Sequence, residues 1–70
     1  MQRQFTAVIK QDCGWWIGWV EEVPGVNSQG KTRAELLENL RSALEETLEF
    51  NREDALKAAQ PHFEEEPILV

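Results

Sequence analysis

The sequence predicts an α+β fold in which one helix covers one face of a small, mainly antiparallel β-sheet. Three observations support this prediction. The first 30 residues contain short runs of β-branched and aromatic residues, separated by turns that contain glycine or proline. A capped segment follows, whose leucines recur every three or four residues, as they do on one side of a helix. Strands that precede a helix, instead of alternating with helices, are typical of a two-layer α+β arrangement.

Two strands are predicted first. Residues 5–10 and 15–21 are rich in β-branched and aromatic side chains, and the turn at 11–14 is short enough to join them as an antiparallel hairpin. Pro24 and Gly25 then form a second turn, because proline favours the second position of a turn and glycine the third. Residues 26–29 follow as a short third strand, which Gly30 ends.

The helix has the clearest start signal in the chain. Thr32 and Glu35 fit a capping box, in which the threonine hydroxyl accepts from the Glu35 amide and the glutamate carboxylate returns to the threonine amide. One side of the helix is apolar, and it comprises Leu36, Leu37, Leu40, Ala43, Leu44 and Leu48. We expect the helix to reach about Phe50. An interruption at 51–52, followed by another turn or two over 53–59, is left open, and Pro61 stops the helix.

The chain ends in a short apolar segment, residues 68–70, which follows Pro67. We interpret this segment as an edge strand. The predicted order is therefore β-β-β-α-(β), in a single domain over residues 1–70.

The second predicted strand is apolar on both faces, although a single helix covers only one. Alternation divides it into Trp15, Ile17 and Trp19 on one face and Trp16, Gly18 and Val20 on the other. Gly18 has no side chain and admits a closely packed helix, so we assign its face to the core.

The other face is predicted to be an interaction site. Three large apolar side chains that no helix covers form the kind of exposed patch that marks an oligomer or partner contact, and tryptophan is a favoured interface anchor. The predicted contact residues are Trp15, Ile17, Trp19, Glu21 and Glu22. The alternative is cover within the chain, by a C-terminal segment that contains Leu56, Phe63 and Ile68.

Composition narrows the function classes. The chain has 13 acidic and 7 basic residues, which argues against direct nucleic-acid binding and favours a basic partner. It shows no signal core and no membrane-spanning run, so we expect a cytoplasmic protein that does not contact a membrane. The lone Cys13 excludes an internal disulfide, and Cys13 with His62 does not make a zinc site. Self-association is the remaining way to reinforce so small a domain.

No catalytic constellation is evident. Two-metal nuclease chemistry needs several converging carboxylates, and nothing in the sequence groups Asp12 or Asp54 with Glu21. A Cys13–His62 nucleophile pair would make the protein a small hydrolase. Single residues of these types are usually incidental, so we expect no enzyme activity and no cofactor or metal.

Residues 14–44 resemble the HicB family of antitoxins. Four elements carry the resemblance, and they occur in the family's order: Gly14-Trp15 opening a strand, Pro24-Gly25 in a turn, Ser28-Gln29-Gly30 with Thr32 before the helix, and Glu35-Leu36-Leu37 with Asn39, Ala43 and Leu44 inside it. The resemblance implies a β-β-β-α-β domain, described as a partial ribonuclease-H-like fold.

The resemblance also implies a role. HicB proteins bind HicA, a small basic toxin that cleaves RNA, and block its access to RNA. Many members carry a further C-terminal DNA-binding domain. We expect none within residues 1–70, so operator binding is not expected. The prediction is a homo-oligomeric antitoxin of a HicA-type toxin. The alternative is an orphan oligomeric protein-interaction or regulatory module of the same fold without a toxin.

Overall fold

The computed structural model describes residues 4–69 and contains a three-stranded antiparallel sheet followed by one long helix. The strands, which lie in the order β1-β2-β3, and the helix have these bounds: β1 Ala7–Asp12, β2 Trp15–Val20, β3 Asn27–Gly30 and α1 Arg33–Ala59. The predicted α+β fold and the order β-β-β-α are confirmed.

A two-residue turn joins β1 to β2. Cys13 and Gly14 both have positive φ, at 51° and 83°, as a type I′ turn requires. Asp12 and Trp15 face each other directly across it. The predicted four-residue turn at 11–14 is therefore wrong, and β1 runs two residues further than expected. Type I′ turns match the right-handed twist of paired strands, so Cys13 adopts a left-handed conformation that favours the hairpin.

The second turn is the predicted one. Val26 N–H donates to the Val23 carbonyl at 3.4 Å, and Gly25 occupies the third position with φ of 90°. Val20 N–H donates to the Val26 carbonyl at 3.0 Å, which closes the loop and begins the pairing of β2 with β3.

The helix begins where the cap predicts. Thr32 is extended, and its Oγ1 accepts from the Glu35 amide at 3.1 Å. Gly30 lies directly beneath the first turn, where an added Cβ would stand 2.7 Å from the Leu36 nitrogen. Only glycine therefore lets the end of β3 approach the helix this closely.

The core lies between α1 and one face of the sheet. Its buried members are Val20, Val26, Leu36 and Leu40. A Cβ on Gly18 would stand 3.3 Å from Leu36 Cδ2, so this glycine faces the helix. The prediction that Trp16, Gly18 and Val20 face the helix is confirmed. Around the core pack partly buried side chains: Phe5, Ile9, Trp16, Val23, Ala43 and Leu44.

The helix is longer than its apolar side predicts. It runs unbroken for 27 residues, so the possible interruption at residues 51–52 does not occur. Asparagine costs only about 0.7 kcal/mol relative to alanine inside a helix, which is too little to break it alone. Gln60 caps the end by donating its N–H to the Leu56 carbonyl at 3.1 Å, and Pro61 follows, as predicted.

The C-terminal segment forms no strand over its described residues. Ile68 and Leu69 lie outside any strand and are 87% and 72% exposed, while Val70 is outside the described residues. The predicted edge strand is therefore wrong for residues 68 and 69. The preceding Pro67 has no N–H to give to a ladder, and a three-residue strand gains few hydrogen bonds to offset the entropy of ordering it.

The molecule is elongated, because half of the helix extends past the sheet. Its principal extents are 50 × 23 × 15 Å, and its radius of gyration is 15.2 Å. A compact chain of this length has a radius of gyration of about 11 Å. The helix is about 40 Å long, whereas a six-residue strand spans about 20 Å.

Candidate functional site

The face of the sheet opposite α1 carries the tryptophans. Trp15, Ile17 and Trp19 alternate with the helix-facing residues of β2, so their side chains lie on this open face. Trp15 and Trp19 are 41% and 43% exposed, and Ile17 is half-buried. The alternative in which the C-terminal segment covers these residues is not what the structure shows, since Phe63 and Ile68 are themselves exposed.

The neighbouring strands extend this apolar surface and give it a polar rim. Opposite the three β2 residues, β1 places Val8 beside Trp19, Lys10 beside Ile17 and Asp12 beside Trp15. On the other side, β3 places Asn27 and Gln29. We call Val8, Trp15, Ile17 and Trp19 the apolar strip.

Val8 is a member that the sequence-based site did not include. The two-residue turn sets the register that puts Val8 opposite Trp19. A four-residue turn would put Val8 opposite Ile17, so strand alternation alone already places Val8 on this face.

Two glutamates follow Trp19 at the end of β2, and they differ in role. Glu21 N–H donates to the Thr6 carbonyl at 2.9 Å, which continues the β1–β2 ladder, and its side chain is exposed. Glu22 Oε1 instead accepts the Thr6 N–H at 2.8 Å. This hydrogen bond to the carboxylate lowers the pKa of Glu22. Glu22 therefore holds the start of β1 in place, in addition to adding charge beside the apolar strip.

The net charge of the chain is concentrated in its C-terminal third. Between Glu45 and Glu66 there are eight acidic and two basic residues, so this segment alone accounts for the net charge of −6. We call residues 45–66 the acidic arm. It comprises residues 45–59 of α1 and the segment that follows the helix. Arg52 lies 3.7 Å from Glu65 in an exposed ion pair, which draws that segment back along the helix.

The side chains considered for catalysis are not brought together. Cys13 is exposed in the hairpin turn, at the end of the sheet where α1 begins, whereas His62 follows the far end of α1. A helix of this length separates them by about 40 Å. Within residues 4–69, no group of three or more His, Cys, Asp or Glu side chains is placed to hold a metal ion.

Over the part of the chain that the structure describes, no helix combines the length and the apolar character needed to cross a membrane.

Comparison with known proteins finds a full-length relative. The chain is 36% identical over 72 residues to a UPF0150 protein of Synechocystis sp., and the alignment covers 100% of this chain and 99% of that protein. No family model matches the chain. No solved structure is significantly similar to it.

Proposed function

Because the chain belongs to the UPF0150 protein family, we propose that it is an antitoxin of the HicB type. In this role it binds and neutralises a small, basic, HicA-type toxin that cleaves mRNA, and it acts as a homo-oligomer in the cytoplasm. The residues that resemble HicB proteins, 14–44, form β2, the turn at Pro24-Gly25, β3 and the first half of α1. The resemblance therefore covers the strand that carries Trp15, Ile17 and Trp19, three of the four members of the apolar strip.

The observation that carries the proposal is the exposure of two tryptophans on the open face of the sheet. Exposed apolar patches with a polar rim are typical of protein-binding surfaces, and tryptophans at their centre contribute a large share of the binding energy. Trp15 and Trp19 both pair with β1, and Trp19 also pairs with β3, so little backbone entropy is lost when a partner docks.

Charge supports a basic partner. The acidic arm carries the net charge of the chain, and Glu21 adds a carboxylate beside the apolar strip. Complementary charge speeds encounter and disfavours acidic or neutral competitors. A toxin that binds RNA needs a basic surface, and an acidic protein that covers this surface excludes RNA sterically and electrostatically. Neutralisation of this kind requires no catalytic group from the antitoxin.

The same open face also suits the alternative, an oligomeric module without a toxin, and the two functions differ in what the chain must bind. The deciding experiment is co-expression with the product of a neighbouring gene that encodes a basic, single-domain protein of about 60–80 residues. We expect the two proteins to co-purify and the purified complex to leave an RNA substrate intact. RNA cleavage should appear when that protein is assayed alone.

Two matched substitutions test which surface makes the contact. Trp19→Asp places a charge in the apolar strip, whereas Ala34→Asp adds the same charge at an exposed position on the opposite layer. We expect Trp19→Asp to weaken binding at least about 30-fold, as loss of an interface anchor does, and Ala34→Asp to have little effect. Equal effects of the two changes, or unaltered binding by Trp19→Asp, would contradict the proposed site.

Charge is best tested at Glu21. Glu22→Lys would also remove the acceptor for Thr6 N–H, so its effect would mix binding with folding. Glu21→Lys should slow association with the basic partner, and Glu21→Gln should slow it less. If no neighbouring basic protein binds and the chain still self-associates, the module without a toxin is the better description.

A further inference from the structure

The outer edge of β1 offers unpaired backbone groups. Glu21 N–H donates to the Thr6 carbonyl, and the alternation of an antiparallel ladder then directs Val8 and Lys10 towards β2. The N–H and C=O groups of Ala7, Ile9 and Gln11 must therefore point away from β2. Because β1 is the first strand of the sheet, these groups face the outer edge.

The other edge of the sheet is protected. The Val20–Val26 hydrogen bond sets the same alternation on β3, so the backbone groups of Asn27 and Gln29 point outward. Asn39 Nδ2 from α1 donates to the Gln29 carbonyl at 2.9 Å. The helix thus closes part of the β3 edge, and no residue between 4 and 69 makes a comparable contact with the outer edge of β1 from Ala7 to Gln11.

The helix-facing side of β1 is also incompletely covered. An apolar groove of about 360 Å³ runs between β1 and α1. Its lining comprises Phe5, Ala7, Val20, Leu37, Leu40, Arg41 and Leu44. A strand added to the β1 edge would satisfy the backbone groups and place alternate side chains beside this groove.

We propose that a second copy of this chain supplies that strand, so that β1 of each copy pairs antiparallel with β1 of the other around a twofold axis at Ile9. The result is a six-stranded sheet in which the apolar strips of both copies share one face. This pairing involves the β1 edge and not the tryptophans, so it is independent of whether a toxin exists.

The axis position follows from the register. Outward-pointing residues must face one another, which allows twofold axes at Val8, Ile9 or Lys10. An axis at Lys10 places the two Lys10 ammonium groups directly opposite each other, and like charges in that position are destabilising. An axis at Val8 leaves Gln11 opposite Phe5, which precedes the first residue of β1, so only two facing pairs remain within the strand. The axis at Ile9 places the two isoleucines opposite each other and forms two Ala7–Gln11 pairs, one on each side of the axis.

Three such facing pairs supply about six interchain hydrogen bonds. The contact is small, so a dissociation constant in the micromolar range or weaker is expected for an edge of this size. Sedimentation equilibrium on the isolated, full-length chain measures this constant directly.

Two proline substitutions test the edge. Ala7→Pro removes an outward N–H without breaking the β1–β2 ladder, and Asn27→Pro does the same on β3. We expect Ala7→Pro to weaken dimerisation about tenfold or more, since the twofold axis doubles the loss, and Asn27→Pro to leave it unchanged. Circular dichroism confirms that both variants remain folded. The proposal would be overturned if Asn27→Pro dissociated the dimer and Ala7→Pro did not. It would also be overturned if Trp19→Asp were the only one of the three substitutions to dissociate it.

Disulfide trapping tests the register, in a Cys13→Ala background that removes the native thiol. An axis at Ile9 places residue 8 of one copy opposite residue 10 of the other. A mixture of the Val8→Cys and Lys10→Cys variants should therefore form a mixed disulfide faster than either variant forms its own homodimer. Preferential homodimers of Val8→Cys or of Lys10→Cys would indicate the other axes and reject the assigned register. This readout does not depend on the proline variants folding normally.

Discussion

Gly30 shows how closely the two layers depend on a single residue. Any side chain at this position meets backbone atoms of Glu35 and Leu36, which are held in the first turn of the helix. The helix cannot move away without uncovering Leu36, which is fully buried. Substitution here therefore strains the packing of the whole layer.

We expect Gly30→Ala to lower the free energy of unfolding by about 1–3 kcal/mol, as overpacking a close contact does. Urea denaturation followed by tryptophan fluorescence measures the change. The control is Gln29→Ala, at an exposed position in the same strand, which should change the value by less than about 0.5 kcal/mol. Equal losses from both substitutions would mean that helix packing at Gly30 is not the cause.

Glu22 makes stability depend on pH. Its folded-state pKa is lowered by the Thr6 N–H, so its stabilising contribution is present at neutral pH and is lost as the pH falls through that pKa. A Glu22→Gln variant keeps an acceptor oxygen but has no charge to lose. We expect wild type to be the more stable at pH 7 and the two proteins to converge as the pH falls below the usual glutamate pKa and through the lowered pKa of Glu22. Urea titrations across this range test the prediction.

A difference in the free energy of unfolding between wild type and Glu22→Gln that persists unchanged at low pH would contradict this prediction. The matched control is Glu21→Gln, because the Glu21 side chain is exposed and the link to Thr6 is made through the Glu21 backbone. Its difference from wild type should vary little over the same interval.

At the scale of elements, α1 has two halves with different support. Leu36 and Leu40 are buried against the sheet, whereas residues from Glu49 to Ala59 are exposed except for the half-buried Leu56. An unsupported helical segment of about 11 residues is marginal in water. The projecting half should therefore open more often than the half that covers the sheet.

Hydrogen exchange measures this difference. We expect amides from residue 49 onward to exchange at least about tenfold faster than those of residues 40–44, because they open by local fraying and not by global unfolding. Uniform protection along α1 would show that another chain or the tail supports the projecting half.

Leucine-to-alanine substitutions should show the same difference between the two halves of α1 in the free energy of unfolding. Leu36→Ala leaves a cavity in the centre of the core and should cost about 2–5 kcal/mol. Leu56→Ala, in the projecting half, should cost less than about 1 kcal/mol. Chemical denaturation of both variants tests the ordering, and a larger loss at Leu56 would contradict it.

Periodicity and turn chemistry predicted most of these elements. The alternation of apolar residues in β2, the cap at Thr32 and the turn at Pro24-Gly25 depend on neighbouring residues alone, and each is where the sequence indicated. The division of β2 into a core face and an open face was also predictable, because Gly18 allows close approach on only one side.

The remaining elements depend on contacts or registers that local sequence does not reveal. Cys13 is not a residue expected at positive φ, so the sequence predicts a longer hairpin turn than the structure has. The apolar periodicity of α1 fades after Leu48, yet good helix formers continue it to Ala59. The strand predicted at residues 68–70 rests on three apolar residues, which are too few to distinguish a strand from an exposed end.

For the whole molecule, the uneven distribution of charge along the chain should make binding of a basic partner depend on salt concentration. The arm carries the entire net charge, so association with a basic partner is predicted to be steered by it. We expect the association rate constant to fall about tenfold or more between 50 and 500 mM salt, and the dissociation rate constant to change little. Stopped-flow tryptophan fluorescence measures both. A salt-independent association rate would contradict electrostatic steering.

The same distribution of charge gives this elongated molecule a large permanent dipole moment. Residues 1–44 contain five acidic and five basic residues, so one end is electrically balanced while the other is strongly negative. A positively charged surface exerts a torque on such a particle before the two touch. We therefore expect the negative end to touch the basic partner first, and the exposed indole rings to dock only after the molecule has rotated.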